Sequence, residues 1–265
     1  MNILPKDQLL SLTRKTAIVT GGSEGIGYAI AYRLAEAGAR VVIASRGEEA
    51  GRLAVSDIQA AGHKDVMYVA CDVSREEDVK KLIEAACKAY DTIDILVNNA
   101  GIFPYATLHD LTAELFDQVV AINLRGVFLM TKYVSEVMIA KQHGGKIINI
   151  TSIDALHPSM VGLAHYDATK HGVWGFTKNV AIELAKHQIW VNAVAPGGIL
   201  TPGVSRMQGA DTRPPRNPEP TPMDIAMGRM GVPDDIGKVV LFLASDMASY
   251  MTGTQVVVDG GYLLK

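Results

Sequence analysis

Cysteine is scarce in this chain: two among 265 residues, Cys71 and Cys87. Both fall in segments that read as buried, one at a strand end and one in a helix. They form no disulfide framework, and a reducing compartment is expected. An excess of one charge is also missing. The formal net charge is −3 and the basic residues are scattered, which argues against a nucleic-acid surface. No apolar run approaches the length of a membrane span, and the N-terminus lacks a signal-peptide pattern. These absences lead to the expectation of a cytoplasmic protein with neither a membrane nor a nucleic acid as partner. The seven histidines show no HExxH and no paired ligand spacing, so no metal is expected. Internal repeats are absent as well.

What is present is apolar and regularly spaced. Hydrophobic residues make up 48% of the chain, enough to bury a sizeable core. Short β-branched runs recur at 16–19, 41–44, 66–69, 93–97, 146–150, 190–194 and 255–258. They are continuous rather than alternating, as in strands covered on both faces. Helical patterns fill the intervals at 25–37, 48–61, 75–90, 112–140 and 164–186, with shorter ones at 224–230 and 233–245. Strict alternation predicts an α/β fold: one doubly wound parallel sheet of about seven strands flanked by helices. The whole chain, 1–265, reads as one domain, with 1–15 as a surface extension. The stretch 202–222 is rich in proline, glycine and charge, too polar and too broken for a core. Extended to 228, it reads as a lid over the carboxyl edge of the sheet, where ligands bind in such folds.

The string TGGSEGIG, Thr20 to Gly27, follows the first predicted strand and opens the first long helix. Gly21, Gly25 and Gly27, with Ser23 and Ile26 between them, let the backbone approach a pyrophosphate at a helix N-terminus. A tight strand–helix turn without ligand is the plain alternative. The end of the second strand reads Ser45–Arg46 instead of an acidic residue. A hydroxyl and a guanidinium suit a 2′-phosphate, which favours NADP, with NAD possible. Glu24, inside the glycine turn, argues the other way. Asp72, with Val73 behind it, can bond the adenine amino group or cap a helix, though Ser74 fits the capping position better. In the string NNAG, Asn99, Ala100 and Gly101 can pack on the cofactor or simply turn the chain. Pro196, Gly197, Ile199 and Thr201, in PGGILT, can orient a nicotinamide carboxamide.

At the other end, Tyr166 and Lys170 stand at i and i+4 on one helix face. An ammonium near a phenol favours the phenolate, and such a phenol exchanges a proton with a carbonyl or an alcohol. Ser152 follows the fifth strand and can hold the substrate oxygen; it can equally cap a turn, and Thr151 lies beside it. Asn123 sits mid-helix between apolar neighbours and can hold a water linked to Lys170, or fix a kink. Asp154 and His157 follow Ser152. His165 and His171 flank the Tyr–Lys segment without forming a triad.

In order, these strings resemble the short-chain dehydrogenase/reductase family from 16 to 262, in its 3-oxoacyl-reductase-like or sugar-dehydrogenase-like branch. The resemblance implies a Rossmann fold and an NAD(P)-dependent oxidoreductase acting on CH–OH donors, with transfer of the 4-pro-S hydride. It implies Tyr166 as acid/base and Lys170 as the residue that binds ribose hydroxyls and lowers the Tyr pKa. Ser152 becomes the oxygen anchor and Asn123 part of a proton relay. It further implies a homotetramer packed through 112–140, 164–186 and the last strand. Ser152 lies one residue further from Tyr166 than the family's usual spacing, so the loop between them must bulge. A sugar or polyol is the favoured alcohol/ketone substrate, from the polar lid with Arg206, Arg213 and Arg216. A 3-oxoacyl thioester is the alternative and a steroid the third choice. A catalytically silent cofactor-binding sensor or scaffold is the reading from another class.

Overall fold

The computed structural model describes residues 5–203 and 225–264, excluding the side chains of Lys6 and Asp7. Seven strands form one parallel sheet: β1 (Thr16–Thr20), β2 (Arg40–Ser45), β3 (Val66–Ala70), β4 (Ile95–Asn98), β5 (Gly145–Ile150), β6 (Ile189–Pro196) and β7 (Gln255–Val258). Their spatial order is β3-β2-β1-β4-β5-β6-β7. The expected doubly wound sheet is therefore present, and its order reverses between β1 and β4. That reversal opens a crevice at the carboxyl edge.

The strands are continuously apolar because both faces are covered. Ala17 and Val19 of β1 face one core, while Ile18 faces the other. Val41 and Ile43 of β2 likewise separate from Val42. The first core is closed by α2 (Gly25–Glu36), α3 (Glu48–Ala60) and α8 (Pro233–Ala244), through residues such as Leu34, Ile58 and Val240. The second is closed by α4 (Glu76–Tyr90), α6 (Gly126–Lys141) and α7 (Ala164–Ala185), through Leu82, Met130 and Leu184. Ahead of the sheet lies the short α1 (Lys6–Leu9), and α5 (Ala113–Val120) precedes α6.

A buried polar ladder pins two of these helices to the sheet. Asn98 Nδ2 donates to Asn149 Oδ1 across the β4–β5 register (2.8 Å) and to Thr131 Oγ1 on α6 (3.1 Å). Asn149 Nδ2 donates to Thr177 Oγ1 on α7 (2.9 Å). Unsatisfied amides would be costly at this depth, so the ladder fixes where α6 and α7 sit.

Four expectations need correction. The helix expected over 112–140 is broken by a π-helical turn, Ala121–Arg125, which holds Asn123. The helix expected at 224–230 is a turn over its described part, 225–230, closed by a hydrogen bond from Gly228 N to Ile225 O (2.9 Å). The extension 1–15 is not wholly superficial: Leu12 is buried and its N–H donates to the Ala37 carbonyl (2.8 Å). Ser74 does not cap α4, whose N-cap is Arg75. Instead Ser74 N and Oγ both donate to Asp72 Oδ1 (2.9 and 2.7 Å), so Asp72 is the residue that closes this turn.

Candidate active site

One continuous cleft of about 1310 Å³ runs along the carboxyl edge of the sheet. Pockets for ordinary small ligands hold roughly 300–1,000 Å³, so this one has room for a dinucleotide and a second molecule. All the residues expected to bind cofactor line it: Gly21, Ser23, Gly25, Ile26, Gly27, Ser45, Arg46, Asp72, Val73, Asn99, Ala100, Gly101, Tyr166, Lys170, Pro196, Gly197, Ile199 and Thr201. Ser152 lines it too, while Asn123 does not.

The turn between β1 and α2 is shaped by contacts that only glycine permits. Gly21 has φ +63°, and a Cβ on Gly27 would fall 2.1 Å from the Gly21 carbonyl oxygen. Asn99 fastens this turn to β4 by donating from Nδ2 to the carbonyls of Thr20 (2.9 Å) and Gly21 (3.2 Å). Thr20 Oγ1 in turn accepts the N–H groups of Asn99 (3.0 Å) and Ala100 (3.1 Å). Among the described residues no side-chain hydrogen bond caps the start of α2. A twelve-residue helix thus presents its amino end, bare of a side-chain cap, to the cleft, which suits a pyrophosphate. At the far wall Arg46 is exposed and Ser45 partly so. Glu24 is exposed on the same rim. The glycine cradle, the open helix end and this polar wall together fit a nicotinamide dinucleotide.

The reacting end is made of buried side chains. Lys170 is 5% exposed and donates from Nζ to the Ile150 carbonyl (2.8 Å). Burial pushes its ammonium down to about 8, partly offset by the carboxylate of Asp154. The same ammonium lies 5.4 Å from the centre of the Tyr166 ring. Phe103 packs edge-on to that ring, with centroids 5.9 Å apart. The lowering of the Tyr166 pKa expected from Lys170 is not the net result. Burial raises it, Asp154 raises it further, and the Ser152 hydroxyl works the other way. These influences leave Tyr166 a phenol at neutral pH.

Ser152 and Thr151 are distinguished by their partners. Thr151 Oγ1 turns into the sheet, toward the Val194 carbonyl (2.9 Å) and Gln255 Oε1 (2.8 Å). Ser152 Oγ caps the short 3₁₀ turn Ile153–Ala155 by accepting from Asp154 N (3.1 Å), and donates to Asp154 Oδ2 (2.8 Å). It is at once the turn cap and a cleft residue. Between Ser152 and Tyr166 the chain makes this 3₁₀ turn and passes through Gly162, whose φ is +89°.

Asn123 is buried behind the wall. Its Oδ1 accepts Ile102 N and its Nδ2 donates to Ile102 O, both at 2.8 Å, and Nδ2 also reaches Thr169 Oγ1 (3.3 Å). The π turn re-aims this amide toward the chain after β4, so its visible work is to fix that wall. His157 is exposed, with Nδ1 donating to the Pro158 carbonyl. His165 is buried and donates from Nε2 to the Pro104 carbonyl (2.8 Å). His171 bonds the Asp167 carbonyl (3.0 Å) on its own helix.

Sequence reasoning missed the apolar part of the cleft. Ile102, Phe103, Pro104, Tyr105, Met160 and Leu163 line its reacting end. The run IFPY directly after NNAG was the available signal. Arg206, Arg213, Arg216 and most of the expected lid lie outside the described residues. Among the described residues no group of three or more His, Cys, Asp or Glu is placed to hold a metal ion.

A protein-family model described as enoyl-(acyl carrier protein) reductase matches residues 21–263. Human dehydrogenase/reductase SDR family member 4 is 41% identical over 251 residues, covering 94% of this chain and 88% of that protein. A 3-oxoacyl-[acyl-carrier-protein] reductase from Synechocystis is 40% identical over 258 residues, covering 97% of this chain and all of that one. The crystal structure of 3-ketoacyl-(acyl-carrier-protein) reductase from Brucella melitensis complexed with NADH superimposes with a TM-score of 0.84 at 36% identity, covering 95% of this chain and 99% of that one.

Proposed function

The chain belongs to the short-chain dehydrogenase/reductase family and is an NAD(P)-dependent oxidoreductase; from that premise we propose how its cleft interconverts a secondary alcohol and a ketone. Bound in the cleft, the nicotinamide dinucleotide supplies or accepts the hydride. Tyr166 gives its phenolic proton to the carbonyl oxygen in reduction and takes it back in oxidation. Lys170 places a charge beside the phenol and offers its ammonium to the ribose hydroxyls. Ser152 holds the substrate oxygen, and Asn123 joins the proton path from behind the wall. The observation that carries this reading is the convergence of Ser152, Tyr166 and Lys170 on one cleft with the glycine turn.

NADP is the favoured cofactor, on the strength of Arg46 at the end of β2 and the absence of a carboxylate there. For the substrate, the apolar wall of Phe103, Tyr105, Met160 and Leu163 favours a carbonyl on an apolar body. That supports a 3-oxoacyl thioester or a similar ketone over the sugar or polyol first expected. The described part of the wall offers Asp154 as its carboxylate, and both of its oxygens are already bonded within the protein.

The reading treats 1–265 as one domain with a lid at 202–228. What supports it is a single sheet that takes strands from both ends of the chain. Exposed Phe116 and Phe128, Ile182 on α7 and Val257 on β7 supply apolar surface for a homotetramer. Among the described residues no helix is long and apolar enough to cross a membrane, in keeping with the proposed cytoplasmic location.

Side-by-side calorimetric titration of NADP⁺ and NAD⁺ tests the cofactor assignment. NADP⁺ is expected to bind more tightly, and Arg46→Ala to reduce that preference about tenfold, the loss of one charge-assisted contact. Tighter NAD⁺ binding would overturn the assignment, and binding of neither would sink the enzyme reading.

A further inference from the structure

We propose that Asp154 is a positioning residue of the reacting end: its carboxylate holds the single proton of the Ser152 hydroxyl, so Ser152 can donate to a substrate oxygen only by letting go of Asp154. The inference rests on the reading of Ser152 as the oxygen anchor.

The geometry is closed on every side. Asp154 is 5% exposed. Its Oδ2 accepts from Ser152 Oγ (2.8 Å), its Oδ1 accepts from Ser159 N (2.8 Å), and its own N–H donates to Ser152 Oγ (3.1 Å). A hydroxyl has one proton and two lone pairs. With the phenol protonated, Ser152 spends its proton on the carboxylate and one lone pair on the turn, and its other lone pair is left for the neighbouring Tyr166 hydroxyl. A substrate carbonyl needs a donor, and must compete with a charged acceptor that binds more strongly than a neutral one.

The choice of residue supports a role beyond the turn. An asparagine closes such turns as well as an aspartate does, whereas a buried carboxylate carries a desolvation cost. The titratable groups that the Asp154 charge reaches come from α7: Tyr166, Asp167 and Lys170; His165 and His171 act on Asp167, and His157 is on the loop of Asp154 itself. Its charge acts on three of them, raising Tyr166 and Asp167 and supporting the ammonium of Lys170. The carboxylate thus acts on the reacting groups as well as closing the turn.

The test is Asp154→Asn in the full-length protein with cofactor. With Asn Oδ1 on the Ser159 N–H, its Nδ2 meets Ser152 Oγ and frees the serine proton. KM for a carbonyl substrate at pH 7, measured apart from kcat, is expected to fall about three- to tenfold, the size of one net hydrogen bond. In a Ser152→Ala background the same substitution should change KM less than about twofold. No change in either background, or an equal change in both, overturns the inference. Melting temperature and cofactor affinity check that the variant folds, and Asp154→Ser replaces it if it does not. A wild-type protein that binds cofactor but reduces no carbonyl defeats the proposed function instead. The inference is then read without turnover, from calorimetric binding of a simple ketone to the cofactor-loaded protein. Asp154→Asn should tighten that binding about three- to tenfold; an unchanged affinity overturns the inference.

Discussion

At its nucleotide end the cleft is walled by backbone and small side chains, such as Gly21, Gly25, Gly27, Ala100 and Gly101. At its reacting end, along the same sheet edge, the wall is polar and aromatic side chains: Ser152, Asp154, Tyr166, Lys170 and Phe103. In the proposed function the first end works by leaving atoms out, so that N–H groups and a helix terminus can reach the ligand. The second works by placing ionisable groups where burial changes their protonation. One end is sensitive to volume and the other to charge: losing the cofactor at the first silences both, whereas losing the phenol at the second should leave cofactor binding in place.

Adding volume at the first end gives the largest effect. In Gly27→Ala the new methyl meets the Gly21 carbonyl at 2.1 Å and Asn99 Nδ2 at 2.5 Å. Overpacking of this kind costs about 1–3 kcal/mol, and here the atom that must yield is the turn itself. Cofactor titration should show affinity lost by up to about a hundredfold, with turnover lost in parallel. Affinity kept within a few-fold would mean that the turn is not the binding element.

A smaller effect comes from charge at the second end. Lys170 is ordinarily protonated to about pH 10.4, and burial brings it down to about 8. Its ammonium is present below that value and is lost as pH rises through it. Tyr166 moves the opposite way and stays a phenol across the same window. Cofactor affinity should therefore weaken above about pH 8, while the phenol remains available for carbonyl reduction. In Lys170→Met the affinity should be lower throughout and flat across roughly pH 7–9, with no lysine left to titrate. A wild-type affinity that is itself flat there would contradict the assignment of the lysine.

The same division explains what was legible in the sequence. The sheet was readable because each strand is a short apolar run covered on both faces, and the glycine turn because missing side chains leave a fixed spacing. The π turn at Ala121–Arg125 was not readable: its residues keep a helical pattern, and the irregularity is set by Asn123 bonding Ile102 far along the chain. The protonation of Tyr166 was misjudged for a related reason. Spacing on the helix shows Lys170 beside it, but not the burial or the carboxylate of Asp154 brought in by the loop. Ser152 was found and its competing partner was not weighed, because a side-chain bond two residues on depends on a 3₁₀ turn that the sequence does not announce.

Tyr166→Phe tests most directly whether proton donation separates from cofactor binding, with cofactor titration and carbonyl turnover measured on the same preparation. The account predicts cofactor affinity within about twofold of wild type. It also predicts turnover reduced by roughly 10²- to 10⁴-fold, the usual contribution of a positioned proton donor. Turnover retained with the phenol gone would contradict it, and so would affinity and turnover falling together.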